Sequence, residues 1–203
     1  MTLRKTSPAV LAALVLAACS QGMAGTPMTD AAAPTTVAMA DTKPVTVGGQ
    51  PMLAGKDIVD NAVNSADHTT LVAAVKAAGL VPVLKGQGPF TVFAPTNEAF
   101  AALPAGTVPT LLKPQNKATL TKVLTYHGVP GRLDFAALQE RITAGGGKAT
   151  LTTVEGAPLT IMMNGPHNIE VMDAKGDVAQ ISTYDVYQSN GVIQVIDRVL
   201  LPG

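Results

Sequence analysis

The sequence predicts an α+β domain in which helices come first and strands later. Between residues 55 and 126, apolar residues recur at helical spacing, with one short strand-like run among them. From residue 149 onwards, runs rich in β-branched residues are separated by dipeptides typical of tight turns. This segregated order is typical of α+β folds and not of alternating βαβ units. The sequence contains no internal repeat, so we expect one such domain.

Four helices are predicted from apolar spacing and from signals at their ends. Asp67 is expected to cap the second helix, and Gly79 fits the position just past its end, where a left-handed backbone is favoured. Thr96, directly after Pro95, is expected to cap a third helix. A fourth is predicted at about residues 115–126. The apolar residues behind these predictions are Ile58, Val59, Ala62 and Val63; Leu71, Val72, Val75 and Ala78; Phe100 and Leu103; and Leu120, Val123 and Leu124.

Six strands are predicted, the first of them at residues 90–94 within the helical part. The last run is apolar on both faces, as central strands are. The later five runs cover residues 149–154, 159–163, 169–172, 178–183 and 192–200. The turn dipeptides between them are Glu155-Gly156, Asn164-Gly165, Lys175-Gly176 and Asn190-Gly191.

The composition excludes a nucleic acid as partner. The chain has 203 residues, of which 47% are hydrophobic, and its 14 basic and 14 acidic residues cancel. Binding a phosphate backbone requires an excess of positive charge, which is missing here. With no Trp, 3 Tyr and 4 Phe, the chain also offers few platforms on which bases could stack.

The sequence gives no indication of an enzyme, a cofactor or a metal centre. One cysteine and three histidines cannot build a thiolate metal cage or a disulfide framework, and His68 and His167 are too isolated to suggest zinc. The motifs of serine hydrolases, zinc proteases and dinucleotide-binding proteins are missing. Residues 145–148 are similar to a phosphate loop, but Ala149 lacks the metal-binding hydroxyl, so we interpret them as a flexible loop.

The N-terminus has the features of an export signal. Arg4 and Lys5 precede an apolar run at residues 9–18, which as a helix would be about 15 Å long, half the thickness of a bilayer core. Such a run is typical of a secretory signal and too short to span. Its end, Leu16-Ala17-Ala18-Cys19, resembles the lipobox of bacterial lipoprotein signals. The alternative is an ordinary signal peptide with an accidental cysteine.

The lipobox resemblance implies that residues 1–18 are removed and that Cys19 becomes a lipidated N-terminus. Two or more acyl chains anchor a protein stably. Lipidation also consumes the only thiol, which excludes redox chemistry. Ser20 at the next position resembles the outer-membrane sorting pattern. We therefore expect an exported protein of the cell envelope, anchored by lipid alone in the outer membrane and facing the periplasm or the cell surface.

Residues 19–54 are predicted to be the lipidated N-terminus and a disordered tether, followed by the domain at 55–203. The tether is rich in Ala, Thr, Pro and Gly and sustains neither apolar period, so it cannot bury enough surface to offset its ordering entropy. Four methionines, soft ligands that suit Cu(I), fall in it: Met23, Met28, Met39 and Met52. Their irregular spacing favours chance enrichment over a copper site.

Three segments together resemble the fasciclin domain family. Residues 88–100, Gly-Pro-Phe-Thr-Val-Phe-Ala-Pro-Thr-Asn-Glu-Ala-Phe, resemble its first signature block, and residues 189–200, Ser-Asn-Gly-Val-Ile-Gln-Val-Ile-Asp-Arg-Val-Leu, its second. Between them, residues 124–127, Leu-Thr-Tyr-His, resemble the family's Tyr-His motif, with Pro130-Gly131 at the expected distance. The similarity runs from about residue 56 to 201. It implies a twisted β-sandwich or wedge packed with several α-helices.

The resemblance also implies a role in adhesion and points to candidate partner-binding residues. In animal members the Tyr-His motif and an Asp-Ile pair before the second block are implicated in integrin binding. Tyr126 and His127 match the first motif, and Asp185-Val186 matches the second conservatively. The alternatives are a hydrogen-bonded packing role for His127 and a turn-supporting role for Asp185. The family usually has histidine where this chain has Gln194, which removes a titratable group.

The leading hypothesis is a lipid-anchored, non-enzymatic fasciclin domain that binds a protein or glycan of a cell surface, matrix or envelope. The alternative is a periplasmic module that binds a small molecule, a lipid or copper. A small apolar pocket lined by methionines such as Met162, Met163 or Met172 would favour the alternative, although strand methionines are usually core residues.

Overall fold

The computed structural model describes residues 44–203. Within that part, no helix is both long and apolar enough to cross a membrane. The predicted signal, Cys19, the first three methionines of the predicted tether and most of the tether itself lie outside the described residues.

A seven-stranded sheet forms the centre of the domain, with the strand order β4-β3-β9-β8-β7-β6-β5. Strands β3 and β9 run parallel, and the other neighbours are antiparallel. The Val154 amide, just past β5, donates to the Gly128 carbonyl of β4 at 2.8 Å, which joins the two edges and nearly closes a barrel. The strands are β3 (Phe90–Pro95), β4 (Gly128–Pro130), β5 (Lys148–Thr152), β6 (Pro158–Met163), β7 (Ile169–Met172), β8 (Val178–Gln188) and β9 (Gly191–Ile196).

Seven α-helices and a small hairpin complete the described part of the chain. Most of the helices precede the antiparallel strands, and α7 closes one end of the sheet. The helices are α1 (Ile58–Ala62), α2 (Thr69–Ala78), α3 (Val81–Leu84), α4 (Asn97–Ala101), α5 (Thr107–Leu111), α6 (Lys117–Tyr126) and α7 (Phe135–Ala144). The hairpin strands are β1 (Thr46–Val47) and β2 (Gln50–Pro51).

Two hydrophobic cores lie on opposite faces of β3 and β9. The strand-side core contains Phe93 and Ile196 and is built mainly from β5 to β8, with Leu138 and Ile142 of α7. The helix-side core contains Val92 and Val195 of the same two strands and the inner faces of α1, α2 and α4. Because side chains alternate across a strand, each of these strands feeds both cores, and β9 is buried along its whole length.

The α+β prediction and most of the predicted elements are confirmed. Thr96 caps α4 by accepting from the Ala99 amide at 3.3 Å, and Gly79 ends α2 with a φ of 74°. Strand β8 extends five residues beyond its predicted end, whereas β9 ends at Ile196.

Helix α7 was not predicted, because the sequence of this helix has few apolar residues that face the core. Only Leu138 and Ile142 are buried on it, while the side chain of Asp134 accepts from the Ala137 amide at 2.9 Å. Two apolar residues four positions apart do not establish a helical period by themselves.

The predicted cap of the second helix is wrong. Asp67 lies in a 3-10 turn before α2, and its side chain caps nothing. The cap comes from Asn97, whose Oδ1 accepts from the Thr70 amide at 3.0 Å and whose amide donates to the Ala66 carbonyl at 2.8 Å. A cap supplied 27 residues away leaves no local sequence signal.

The predicted tether reaches too far along the chain. Strands β1 and β2 lie within it, and Val47 and Met52 are only 6% and 5% exposed in the helix-side core. Asn61 fastens this segment: its Oδ1 accepts from the Leu53 amide at 3.1 Å and its amide donates to the Leu53 carbonyl at 2.8 Å. The hairpin of β1 and β2 therefore belongs to the packed domain and not to the tether, because single apolar residues dock in the helix-side core without any sequence period.

Candidate functional site

Tyr126 is fully buried at the end of α6 and ties three segments together. Its hydroxyl donates to the Pro158 carbonyl at 2.8 Å and accepts from the Ala174 amide at 3.0 Å. Burial raises the pKa of the phenol, so the group stays neutral. The hydroxyl thus joins α6 to the start of β6 and to the turn after β7, and no part of the side chain faces solvent.

His127 is buried beside it, and both ring nitrogens are paired. Nδ1 donates to the Val123 carbonyl at 2.7 Å, and Nε2 accepts from the Leu200 amide at 3.0 Å. Burial lowers the pKa of His127 from 6.5 to about 4, against the raising effects of its Val123 partner and of the Asp173 charge. The neutral imidazole therefore joins the end of α6 to the C-terminal segment.

Asp185 lies at an irregular point of β8, where the register with β9 shifts between Thr183 and Val186. Its φ of 56° is the one positive value among the non-glycine residues described. Oδ1 accepts from the Phe135 amide at 2.7 Å, so this carboxylate lies against the first residue of α7. Val186, the next residue, is 1% exposed and packs in the helix-side core.

Gln194 explains how that conformation is held without a histidine. The buried amide accepts from the Asp185 backbone N–H and donates to Asp185 Oδ1, both at 3.1 Å. It also donates to the Leu133 carbonyl at 3.1 Å. All three contacts are made by a neutral group, so the bulge does not depend on protonation of this side chain.

The four candidate partner-binding residues therefore differ in accessibility. Tyr126, His127 and Val186 are buried, and only Asp185 is partly exposed. The two pairs share no hydrogen-bond partner among the described residues. Direct contact with a partner stays a prediction for all four, and Asp185 alone has a surface with which to make it.

A surface cleft that the sequence did not indicate surrounds Asp185. Its volume is about 300 Å³, and Tyr184, Tyr187 and Val45 are among its walls. The Tyr187 ring lies 5.9 Å from the Arg132 guanidinium, in a cation–π arrangement. Tyr184 packs edge-on against Phe135, and its hydroxyl accepts from the Ile169 amide at 2.7 Å. We call this the bulge cleft.

The two signature blocks contact one another along their backbones. The Phe90 amide donates to the Asn190 carbonyl at 3.1 Å, and Asn190 Oδ1 accepts from the Ile58 amide at 3.1 Å. A Cβ at Gly88 or at Gly191 would collide with the backbone of Asn190 or of Phe90. Packing of the β3–β9 pair therefore gives the small residues and the asparagine of the blocks a structural role.

The described residues contain no cluster of three or more His, Cys, Asp or Glu that could hold a metal ion. Met162, Met163 and Met172, the methionines considered in the sequence analysis as pocket residues, are half-buried on β6 and β7. Residues 145–147 end α7 and lead directly into β5, where Lys148 is exposed.

A nearly closed seven-stranded sheet packed with helices, in which the two signature blocks pair on adjacent strands, defines the class of protein. A family model, Fasciclin domain, matches residues 66–202, and the chain belongs to the fasciclin family. The fold matches a solved FAS1 domain pair from the insect cell adhesion molecule fasciclin I, with a TM-score of 0.53 and 21% identity. That match covers 64% of this chain and 43% of the insect chain.

Curated relatives include both uncharacterised and surface proteins. Protein sll1483 of Synechocystis is 49% identical over 147 residues, which are 71% of this chain and 73% of that protein. A cell surface glycolipoprotein of Mycobacterium bovis, MPB83, is 32% identical over 226 residues, covering 97% of this chain and 93% of the relative. The pig transforming growth factor-beta-induced protein ig-h3 is 38% identical over 133 residues, or 17% of its own length.

Proposed function

We propose that this protein is a lipid-anchored, non-enzymatic fasciclin domain that binds a protein or glycan of a cell surface, matrix or envelope. The anchor is the diacylated Cys19, held in the outer membrane with the domain facing the periplasm or the cell surface. The lipobox-like sequence supports the anchor. So does the similarity to MPB83, since that relative is named a cell surface glycolipoprotein and matches over nearly its whole length.

The bulge cleft is the observation that carries the binding proposal. Tyr and Arg are among the residue types most enriched at interaction hot spots. Tyr184 and Tyr187 line this cleft, and Arg132 lies next to it against the Tyr187 ring. The two rings are already held, one by Phe135 and one by the guanidinium, so little side-chain entropy is lost on binding. Such a surface is suited to a partner that offers apolar groups next to a hydrogen-bond donor for Asp185.

The position of Asp185 supports the same face. Its Oδ1 is used by Phe135 and Gln194, whereas Oδ2 accepts no hydrogen bond from the described residues. One oxygen thus holds the bulge and the other is left for a partner. Many copies on one membrane would add avidity to a contact that is weak alone.

Attachment of cells tests the proposal. A strain without the gene would be complemented with wild type, with Cys19→Ala and with Tyr187→Ala, and bound to coated surfaces and partner cells. We expect wild type to restore attachment, Cys19→Ala to release the protein and lose it, and Tyr187→Ala to remain anchored but attach at least tenfold less.

Two arginine variants serve as the test and the control for this face. Arg132→Ala removes the guanidinium above Tyr187, whereas Arg141→Ala makes the same change at an exposed position of α7. Attachment should fall with the first variant only, at equal surface level. Wild-type attachment by both arginine variants and by Tyr187→Ala would contradict the assignment to the bulge cleft. Wild-type attachment by the strain without the gene would contradict the proposed function itself.

A further inference from the structure

The helix-side core contains an apolar cavity of about 80 Å³ between α2 and the sheet. One face of α2 forms its roof through Leu71, Val72 and Val75, and Val92 and Ala94 of β3 form part of its floor. Apolar atoms make up nearly all of its surface. Neither the partner-binding proposal nor the family's signature blocks require a cavity here.

The lining of the cavity includes residues near both ends of α2. His68 precedes the first residue of that helix, and Lys76 lies in its last turn; both line the cavity. Eight residues at 1.5 Å each separate the two, so its walls extend over about 12 Å. One end has a buried imidazole and the other an exposed ammonium group. A lining of this extent around a volume of only about 80 Å³ suits an unbranched chain better than a fused ring system.

His68 supplies a polar atom with no partner at the closed end. Its Nδ1 lies 2.9 Å from Ser65 Oγ, but Nε2, fully buried, makes no hydrogen bond within the described part of the chain. Burial lowers the pKa of His68, so the ring is neutral. The nearby Ala94 backbone has the opposite, smaller effect on this pKa, but it lies outside hydrogen-bonding geometry. A buried polar atom without a hydrogen-bond partner destabilises the folded protein. A ligand oxygen that pairs with Nε2 would remove this penalty.

The rim of the cavity carries exposed apolar side chains. Val83 of α3 and Val154 after β5 both line it and are 49% and 46% exposed. They are two of four large hydrophobic residues with this degree of exposure in the described chain. Their position at the rim means that apolar surface continues from the interior to solvent.

We propose that this cavity is a binding site for a neutral, unbranched alkyl compound with one hydroxyl or carbonyl oxygen, which pairs with His68 Nε2 while the chain follows α2 towards Val83 and Val154. The volume of the cavity decides which part of the ligand is enclosed. About 80 Å³ is half of a cavity that admits benzene, so it encloses the oxygen and the first few carbons. The remaining methylenes lie on the apolar rim.

A charged head group fits the closed end poorly. A carboxylate beside a neutral imidazole would lose its hydration without gaining an opposite charge. Lys76 at the open end is solvated and needs no partner. The cavity and the bulge cleft share Met52 and Val186 as lining residues, but the two proposals are tested apart. The test below uses the isolated protein with no partner, so its outcome does not depend on adhesion.

Soluble alcohols are the probes for the experiment. The protein lacking residues 1–19 would be titrated with 1-butanol, 1-hexanol, 1-octanol and sodium octanoate at pH 7.5, with thermal shift and ¹⁵N NMR as readouts. We expect saturable binding that strengthens by at most about fourfold per added methylene, the value for a fully buried one. The melting temperature should rise with occupancy, and the His68 Nε2 resonance should shift. Octanoate should bind at least tenfold more weakly than 1-octanol.

Matched variants separate the cavity from adsorption to the surface. Ala62→Leu fills space at the cavity wall, whereas Ala73→Leu makes the same change on the exposed face of α2. The first should abolish binding of 1-octanol and the second should leave it unchanged. His68→Leu, which keeps the volume but removes the nitrogen, should weaken it at least tenfold.

Each opposite outcome overturns the proposal. Binding that does not saturate, or that falls equally in the two leucine variants, would mean adsorption. Tighter binding of octanoate than of 1-octanol would move the polar end to Lys76, and full affinity in a folded His68→Leu variant would remove the role of Nε2. If Ala62→Leu does not fold, the His68 resonance in the wild type decides, because a ligand bound elsewhere leaves it in place.

Discussion

The two cores of this domain differ although they share the strands β3 and β9. In the strand-side core no member is more than 5% exposed, and its elements are joined by the backbone hydrogen bonds of a nearly closed sheet. In the helix-side core exposure reaches 8% at Leu71 and Val92, and the helices there are held by side chains. The cavity lies on the helix side. A sheet that closes on itself packs tightly, whereas short helices docked on its outer face leave space that a ligand can use.

The two buried histidines both line the cavity but differ in their hydrogen bonds. His127 has both nitrogens paired, and it joins α6 to the C-terminal segment. His68 on the helix side has one nitrogen without a partner. One imidazole is therefore fully used by the fold, whereas the other keeps a nitrogen with no partner among the described residues.

Charged residues are unevenly distributed along the chain, although its formal net charge is zero. Between His68 and Leu133, which include α2 to α6, Glu98 is the single acidic residue. The basic residues of that stretch are Lys76, Lys85, Lys113, Lys117, Lys122 and Arg132. The strand part that follows is mostly acidic. A balanced total therefore conceals a basic segment from α2 to α6 and a more acidic segment after it.

Leucine truncation should show the largest difference between the cores. Leu159→Ala in the strand-side core is expected to lower the free energy of unfolding by about 3–5 kcal/mol, because a fully buried side chain leaves a cavity that a closed sheet cannot fill. Leu71→Ala should cost about 2–3 kcal/mol, since that side chain already faces a cavity. Urea unfolding measures both. Equal losses would contradict the contrast.

Acid should destabilise the domain mainly through His127. Its pKa is lowered from 6.5 to about 4, so the unfolded chain binds the proton first and stability falls as the pH drops from about 6.5 towards 4. The loss reaches roughly 3 kcal/mol and is fully recovered above the unfolded pKa. Urea midpoints measured across this pH range test it.

Glutamine variants assign that pH dependence. His127→Gln keeps a donor and an acceptor but cannot be protonated, so the slope between pH 4 and 6.5 should become much flatter. The pKa of His68 is also lowered by burial, so His68→Gln should flatten it as well. If neither variant changes the slope, the acid sensitivity lies in other groups.

The beginning of the domain can be tested at Met52. Met52→Ala should lower the free energy of unfolding by about 2 kcal/mol, because the side chain is buried in the helix-side core. Leu53→Ala, at a neighbour that is 44% exposed, is the control and should have little effect. If neither substitution lowers the free energy of unfolding, β1 and β2 belong to the tether and not to the domain.

The smallest expected effect concerns the cap of α2. Asn97→Ala removes the acceptor of the Thr70 amide and should cost about 1 kcal/mol. Asp67→Ala changes the residue that the local sequence favours as the cap, and thermal unfolding should remain at the wild-type value. A larger loss from Asp67→Ala than from Asn97→Ala would reverse the assignment.

The amino-acid sequence alone predicted the features that depend on neighbouring residues. The Thr96 cap, the Gly79 end of α2, the strand run at 169–172 and the turn before β9 follow from local periods and backbone preferences. The signature blocks identified the family, because each is long and their order is specific.

Only the tertiary structure decided the features that depend on residues far apart in the chain. The parallel pairing of β3 with β9, the Asn97 cap and the docking of Val47 join segments that no local period connects. The candidate site changed for the same reason: a Tyr-His motif in a sequence does not show whether its side chains point inwards, whereas packing buries both. Cavities arise from the imperfect fit between distant elements, and the space beside His68 therefore exists only in the folded protein.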